Sequence, residues 1–139
     1  MAKETKKIEY VVNFMKNATG LDVTDYLRKT FSIDSIILNE DRHFNNLGVI
    51  MREDGTYRTA PIFDNGRSMF IGNFSIKDNL PISENIKRVS CKPFGFGHKR
   101  LVEYIGKGFE LDKEKAIKWI EKEASDRFRD LLIYQIENY

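Results

Sequence analysis

The 139-residue sequence lacks several features that would assign it to a large class of proteins. Cys91 is its only cysteine, so the chain offers neither an internal disulfide bond nor a cysteine cluster for zinc. No apolar run approaches the ~20 residues that a membrane helix needs. The charged segment 1–7 is not followed by the apolar core of a signal peptide. We therefore expect a cytoplasmic protein with no membrane-spanning helix.

The sequence also lacks an excess of charge of one sign. Lys and Arg together number 23, Asp and Glu number 21, and the formal net charge is +2. A nucleic-acid-binding domain usually carries a clear basic excess, so composition gives no reason to expect DNA or RNA as a partner. Hydrophobic residues make up 41% and charged residues 32%, which is typical of globular domains. We expect residues 1–139 to form a single domain with its own core.

Apolar residues at helical spacing predict helices on both sides of a central polar segment. Gly20 is a stop signal for the first helix, and Asp112 is an N-cap for the last one, which is expected to be long. Helices are predicted over residues 4–18, from about 24 into 36–38, from 81 to about 89, from 99 to 107, and from 112 past 131. Segment 66–80 is predicted to be irregular. Segment 92–98 is predicted to be a tight loop that packs Phe94 and Phe96 against the core.

One β-hairpin is predicted in the middle of the chain. Two short runs, 47–51 and 57–63, are rich in β-branched, aromatic and aliphatic residues, and Asp54-Gly55 lies between them. Asp-Gly between such runs is a strong hairpin signal. If these two residues form a two-residue turn, Glu53 faces Thr56, whereas a longer turn would shift the register by one residue. The fold class expected is therefore α+β, mainly helical, with one β-hairpin.

Polar side chains cluster at the open end of this predicted hairpin. In the two-residue register, Asn46 and Asp64 are diagonal cross-strand neighbours, roughly 7–8 Å apart or a little less at Cβ. Asp41 lies in the loop before Asn46 and can be folded over the same position. Two carboxylates and an amide oxygen with no nearby cysteine form a hard-oxygen site, which suits magnesium and phosphate better than zinc.

The order of these residues resembles the catalytic and metal-binding segments of protein kinases. The stretch NEDRHFNNLGVI followed by APIFDNG is similar to the HipA-like serine/threonine kinases of bacteria, including their cell-translocating relatives. This resemblance covers Asn39 to Gly66. It implies the C-terminal lobe of a kinase-like fold, with the hairpin carrying the catalytic and metal residues. It also implies Asp41 as the base that orients a substrate hydroxyl, Asn46 and Asp64 as ligands of Mg²⁺ bound with ATP, and a protein Ser or Thr as phosphate acceptor.

Two neighbouring side chains have open roles in this interpretation. His43 is a candidate for direct proton transfer, but its ring could equally brace the loop by bonding to the backbone. Arg42 could pair with an acid or a phosphorylated side chain, or form a surface ion pair. His98 has no visible partner and is interpreted as structural. Segment 66–80 would correspond to an activation segment in a kinase, with an ordinary surface loop as the alternative.

A kinase also needs an upper lobe with a phosphate-covering loop and a strand lysine. Only 40 residues precede Asp41, and they are predicted to be helical. The chain is therefore expected to be a C-terminal lobe alone: a piece of a longer kinase, a subunit completed by a separate upper-lobe polypeptide, or a non-catalytic remnant. Two alternatives to a kinase lobe stay open. One is a non-catalytic interaction module; the other is a metal-dependent phosphoester hydrolase that uses Asp41, His43 and Asp64.

Overall fold

The computed structural model describes residues 2–95 and 97–139, and its architecture is mainly helical with one small antiparallel sheet. A 3₁₀ turn, Phe44–Asn46, precedes the sheet. The α-helices and strands in chain order are α1 (Ala2–Thr19), α2 (Thr24–Ile37), β1 (Val49–Met51), β2 (Tyr57–Thr59), α3 (Ile82–Ile86), α4 (His98–Ile105), α5 (Lys113–Glu123) and α6 (Asp126–Glu137). None of the helices within the described ranges is long and apolar enough to cross a membrane.

Helix α2 packs against both α4 and α6, and α5 packs against α6. Helix α2 begins after Asp22, whose Oδ1 accepts a hydrogen bond from the Thr24 amide at 2.9 Å. It ends at Ile37, and the next residue, Leu38, adopts a left-handed conformation with φ 53°. Its buried face follows the helical repeat, and this face fills the centre of the molecule. The buried members are Tyr26, Leu27, Thr30, Phe31, Ser32 and Asp34.

The hydrophobic core lies between α1, α2, α4 and the loop that precedes α4. Phe94, in that loop, is fully buried and contacts the Phe31 ring edge-to-face with ring centroids 5.5 Å apart. The prediction that Phe94 packs on the core is confirmed, whereas Phe96 lies outside the described residues. The cluster comprises Ile8, Val23, Tyr26, Leu27, Phe31, Cys91, Phe94, Leu101, Val102 and Ile105.

The C-terminal region forms two helices, so the prediction of one long helix is wrong. Asp112 does cap α5, because its Oδ1 accepts a hydrogen bond from the Lys115 amide at 3.0 Å. The chain then becomes extended at Ala124 and Ser125, and α6 begins at Asp126. Ser125 is the N-cap residue of α6 but its side chain makes no capping hydrogen bond, while Asp126 places a negative charge in the first turn, where it suits the helix dipole.

The hairpin forms where it was predicted, but its register differs by one residue. Val49 pairs with Thr59, whereas the two-residue turn would have paired Ile50 with Thr59. The Arg52 amide donates to the Thr56 carbonyl, and Gly55 has φ 82°, so the connection is a three-residue loop with a left-handed glycine. At its open end the hairpin begins at Val49 in β1 and finishes at Thr59 in β2. Asn46 and Asp64 therefore lie outside the hairpin, on either side of it in the chain.

We expect Phe94→Ala to lower the free energy of unfolding by about 3–5 kcal/mol, because it removes a fully buried ring from the centre of the core. Chemical denaturation followed by circular dichroism measures this change. The matched control is Phe74→Ala, which removes a fully exposed ring and is expected to change stability by less than about 0.5 kcal/mol. Equal effects of the two substitutions would contradict the core assignment.

Candidate active site

A buried ion pair between Arg42 and Asp34 lies beneath the candidate site. The Arg42 side chain is 0% exposed and that of Asp34 is 1% exposed. Arg42 Nε and Nη2 each donate to one carboxylate oxygen of Asp34 at 2.8 Å, which is the parallel two-bond geometry that arginine makes with carboxylates. Burial by itself lowers the pKa of the Arg42 guanidinium, but the hydrogen bonds and charge of Asp34 raise the pKa above its ordinary value. Arg42 is therefore a permanent buried cation rather than part of a surface ion pair.

The same guanidinium holds two separate segments of the chain together. Its Nη1 donates to the Phe63 carbonyl oxygen at 2.6 Å and to the Asn46 carbonyl oxygen at 3.4 Å. Its Nη2 donates to Asn65 Oδ1 at 2.6 Å. Because one planar group bonds both segments, the Asn46 carbonyl lies close to the Phe63 carbonyl and to the Asn65 side chain, which flank Asp64.

Asn39 extends this network and positions the start of the site loop. It is buried, its Nδ2 donates to Asp34 Oδ1 at 3.1 Å, and its Oδ1 accepts from the Asp41 amide at 3.0 Å. Its carbonyl oxygen lies 2.8 Å from Nε2 of His98, which supports the structural role expected of that histidine. His98 is itself buried, and burial lowers the pKa of its ring despite the opposing effects of Asn39, Asp34 and Glu40.

Asp41 and Asn46 are joined directly across the 3₁₀ turn. Asn46 is buried, and its Nδ2 donates to the Asp41 carbonyl oxygen at 3.1 Å. Because the NH₂ end of the amide is used in this bond, the Oδ1 end is the one left for a cation. The Asp41 side chain is half-buried, and its carboxylate accepts no hydrogen bond from any described residue.

Asp64 is held in an unusual backbone conformation. It has φ 58°, in the left-handed region that residues other than glycine adopt infrequently, although Asp is more tolerant of it than most. The flanking Phe63 and Asn65 are both bonded to Arg42, which maintains this conformation. The Asp64 side chain is exposed, and its charge is among those that raise the pKa of Arg42. A strained, exposed acid supported by a buried network is typical of a functional position.

His43 lies at the start of the 3₁₀ turn, where its carbonyl oxygen accepts a hydrogen bond from the Asn46 amide at 2.9 Å. Its ring is half-buried and makes no hydrogen bond within the described part of the chain. The backbone of His43, not its ring, therefore stabilises the turn. This leaves the ring available for proton transfer and does not support the bracing role that was the alternative.

The acids of the site do not by themselves make a complete metal site. Within residues 2–95 and 97–139, no three Asp, Glu, His or Cys side chains form a group that could hold a metal ion. The candidate ligands are instead one amide oxygen, from Asn46, and one carboxylate, from Asp64. Magnesium is commonly bound by one or two carboxylates together with water and substrate phosphates, so this donor set suits a metal that arrives with a nucleotide.

Sequence reasoning missed two residues that organise the site. Asp34 lies three residues after Phe31 and seven after Leu27, so its place on the buried face of α2 was readable from the helical repeat. Glu40 is also buried; it accepts two bonds from Asn73 Nδ2, at 2.9 and 3.0 Å, and one from the Ser90 amide at 3.2 Å. No pattern pointed to Glu40, because its partners are distant in the sequence.

The segment that follows the site, 66–80, is irregular as predicted, with neither helix nor strand. Met69 and Phe70 have positive φ values of 57° and 67°, and the Met69 amide donates to the Ile37 carbonyl at 2.8 Å. Ser68 is buried and Ser75 is exposed, so only Ser75 is accessible for modification in this conformation. The segment is anchored to the site network through Asn73 and Glu40.

Comparison with protein-family models, with curated proteins and with solved structures found no match for this chain. The resemblance to HipA-like kinases therefore depends on the motif residues of segment 39–66 and on how the structure arranges them. The arrangement brings together the backbone at Asp41 and Asn46 with that around Asp64, through the Asn46–Asp41 bond and the Arg42 guanidinium.

We expect Arg42→Met to lower the free energy of unfolding by about 3–5 kcal/mol, because it leaves the Asp34 carboxylate buried without its cation. Adding Asp34→Leu should recover most of that loss, since an apolar pair of similar volume needs no desolvated charge. A double-mutant cycle in chemical denaturation measures both. Lys118→Met, at an exposed pair with Glu114, is the control and should cost less than about 0.5 kcal/mol. A small loss at Arg42 would contradict the buried pair.

Stability should fall as the pH is lowered through the range in which His98 titrates. Its pKa in the folded protein lies below the ordinary 6.5, so the unfolded chain takes up the proton first. The contribution of His98 is therefore complete above about pH 6.5 and is lost as the pH falls toward the folded-state pKa. Thermal unfolding measured between about pH 5 and 8 should show a slope that is shallower in His98→Gln. An unchanged slope would contradict the assignment.

Proposed function

We propose that this chain is the lower, helical lobe of a HipA-like serine/threonine protein kinase of bacterial, cytoplasmic type. In this proposal it transfers the γ-phosphate of ATP to a protein hydroxyl when an upper lobe completes the active site. The observation that carries the proposal is the Arg42 guanidinium, which bonds the Asn46 carbonyl and both neighbours of Asp64 at once. The amide and the acid proposed as metal ligands are thereby attached to one rigid support.

Phosphoryl transfer requires mainly that the reactants be positioned and that the charge on the phosphates be neutralised. The proposed roles provide both. Asn46 Oδ1 and the Asp64 carboxylate would hold Mg²⁺ with the nucleotide phosphates. Asp41 would orient the acceptor hydroxyl and accept its proton, with its backbone fixed by Asn39 and Asn46. His43, whose ring has no hydrogen-bond partner among the described residues, is the second candidate for proton transfer.

The proposal requires a phosphate-covering loop and a strand lysine from elsewhere. Among the described residues, β1 and β2 form the only sheet, and neither strand contains a lysine. We propose that the missing elements come from a second polypeptide or from a further part of the same one, with a protein as substrate. The nucleotide would then bind between the two lobes, and the affinity of this chain alone for ATP would be low.

A non-catalytic interaction module is the second candidate function. Three large apolar side chains, Tyr10, Phe14 and Phe44, are exposed and lie close together beside the 3₁₀ turn of the site. Exposed apolar groups that lie close together are typical of a surface that contacts another molecule. A module of this kind would need the surface but not the acids.

We expect Asp64→Ala to weaken Mg²⁺-dependent ATP binding at least about tenfold, because it removes the charged metal ligand. Asp41→Asn should leave that binding unchanged and abolish transfer to protein. With the upper lobe supplied, calorimetric titration with ATP and Mg²⁺ measures binding, and incorporation of labelled phosphate measures transfer. Asp78→Ala, at another exposed loop acid, is the control and should change neither.

Two other results of these measurements would each support a different function. ATP binding that is insensitive to Asp64→Ala would contradict the metal site and leave the interaction module. Turnover of a phosphodiester by the chain alone, lost in Asp64→Ala and in His43→Ala, would identify a metal-dependent phosphoester hydrolase. That result would contradict the kinase proposal, because hydrolysis of this kind needs no upper lobe.

A further inference from the structure

An apolar groove runs beside the candidate site and is not used by the proposed chemistry. It has a volume of about 670 Å³, which lies within the size range of small-molecule sites in proteins. Helices α1 and α2, the 3₁₀ turn and the start of β1 form its walls. Its lining residues are Lys3, Lys6, Lys7, Tyr10, Val11, Phe14, Met15, Val23, Tyr26, Leu27, Phe44, Leu47, Gly48, Val49 and Pro93.

The lining divides into an apolar body and a cationic end. Beyond the lysines, the described lining residues are apolar or aromatic and none is acidic; the hydroxyls of Tyr10 and Tyr26 are their polar side-chain atoms, and that of Tyr26 is buried without a hydrogen-bond partner among the described residues. Lys3, Lys6 and Lys7 all lie in the first two turns of α1, at spacings that place them on one face of the helix. The rest of the groove extends along α1 to Met15, which lies about 14 Å from Lys6 along the helix axis.

The nearby acid does not neutralise this cationic end from within the groove. Glu4 lies between the lysines in sequence, and its Cγ is 4.0 Å from where a side chain on Gly95 would begin. It therefore faces the loop before α4, although its charge interacts with Lys7. All three lysines are exposed and can move toward an anion at the mouth of the groove.

We propose that this groove binds a single long-chain carboxylate, with the carboxylate at Lys3, Lys6 and Lys7 and the alkyl chain along α1 toward Met15. The charge of the lining matches one anionic group at one end. The length suits an extended chain of about ten to twelve carbons, given ordinary carbon–carbon bond lengths. This inference does not depend on the proposed kinase activity, because none of the groove lysines belongs to the candidate active site.

Other occupants match the groove less well. A nucleotide base carries donors and acceptors on its edges, and the apolar body of the groove offers few side-chain partners for them. An alkyl chain needs no hydrogen bonds, so it is the occupant that an apolar channel with a cationic mouth accommodates.

Calorimetric titration with monomeric dodecanoate tests the proposal, with dodecyltrimethylammonium as a probe of the same chain length and opposite charge. We expect saturable one-to-one binding of dodecanoate and at least tenfold weaker binding of the cation. Decanoate, shorter by two methylenes, should bind roughly fifteenfold more weakly, since each buried methylene contributes about fourfold in affinity.

Matched variants locate the site. The triple variant Lys3→Gln, Lys6→Gln, Lys7→Gln should abolish the preference for dodecanoate over the cation. Lys115→Gln, Lys118→Gln, Lys122→Gln makes the same change of charge on the exposed face of α5 and should leave binding intact. Phe14→Ala should weaken binding several-fold, and Phe74→Ala should not, because only Phe14 lines the groove.

The proposal fails if dodecanoate binds only as micelles, if the cation binds equally well, or if the α5 triple variant loses as much affinity as the α1 triple variant. Binding to anionic or neutral vesicles without binding of monomeric dodecanoate would assign the face to a membrane surface instead. Concentration-dependent dimerisation in sedimentation, lost in Phe14→Ala, would assign it to a second copy. ATP binding to the groove with no dodecanoate binding would likewise overturn the inference.

Discussion

The ion pair of Arg42 and Asp34 is the constraint on which the rest of the candidate site depends. A guanidinium removed from water is costly unless every donor finds an acceptor, and this one bonds a carboxylate, two backbone carbonyls and an amide oxygen. Those acceptors belong to α2, to the 3₁₀ turn and to the segment after β2. Their positions relative to one another are therefore determined by a planar group that tolerates little change in geometry.

This arrangement shows how irregular backbone can hold the candidate site residues in fixed positions. Asp41 and Asp64 both lie outside regular secondary structure, where backbone is ordinarily more mobile than in helices and strands. Here the backbone at Asp41 and the neighbours of Asp64 are hydrogen-bonded to the buried side chains of Asn39, Asn46 and Arg42. The backbone of both acids is therefore fixed while their carboxylates stay accessible. The left-handed conformation of Asp64 is consistent with this, because strain of that kind persists only where the surroundings impose it.

The apolar groove and the candidate site share a wall but differ in chemistry. The 3₁₀ turn carries Asn46 in the site network, and it carries Phe44 on the groove side. Phe44 also contacts Phe94 of the core edge-to-face, with centroids 6.0 Å apart. A ligand in the groove would therefore touch an element that also holds a proposed metal ligand.

The local features of this protein could be predicted from its sequence. Helical spacing identified α1, α2 and α4, and Asp54-Gly55 identified the hairpin, because each depends on residues close together in the chain. Predictions that depended on a competition between local signals were less accurate. The turn at Gly55 has three residues rather than two, and the C-terminal region is divided into two helices by extended backbone at Ala124 and Ser125.

Residue order alone therefore determined which elements form and which side chains are candidates for chemistry. Only the tertiary structure decided how those candidates are held. Arg42 could be interpreted from sequence as a surface residue, yet burial against Asp34 turns it into the support of the whole site. The physical reason is that the free energy of a buried charge depends on acceptors distant in sequence, such as Phe63 and Asn65, which come within reach only when the chain is folded.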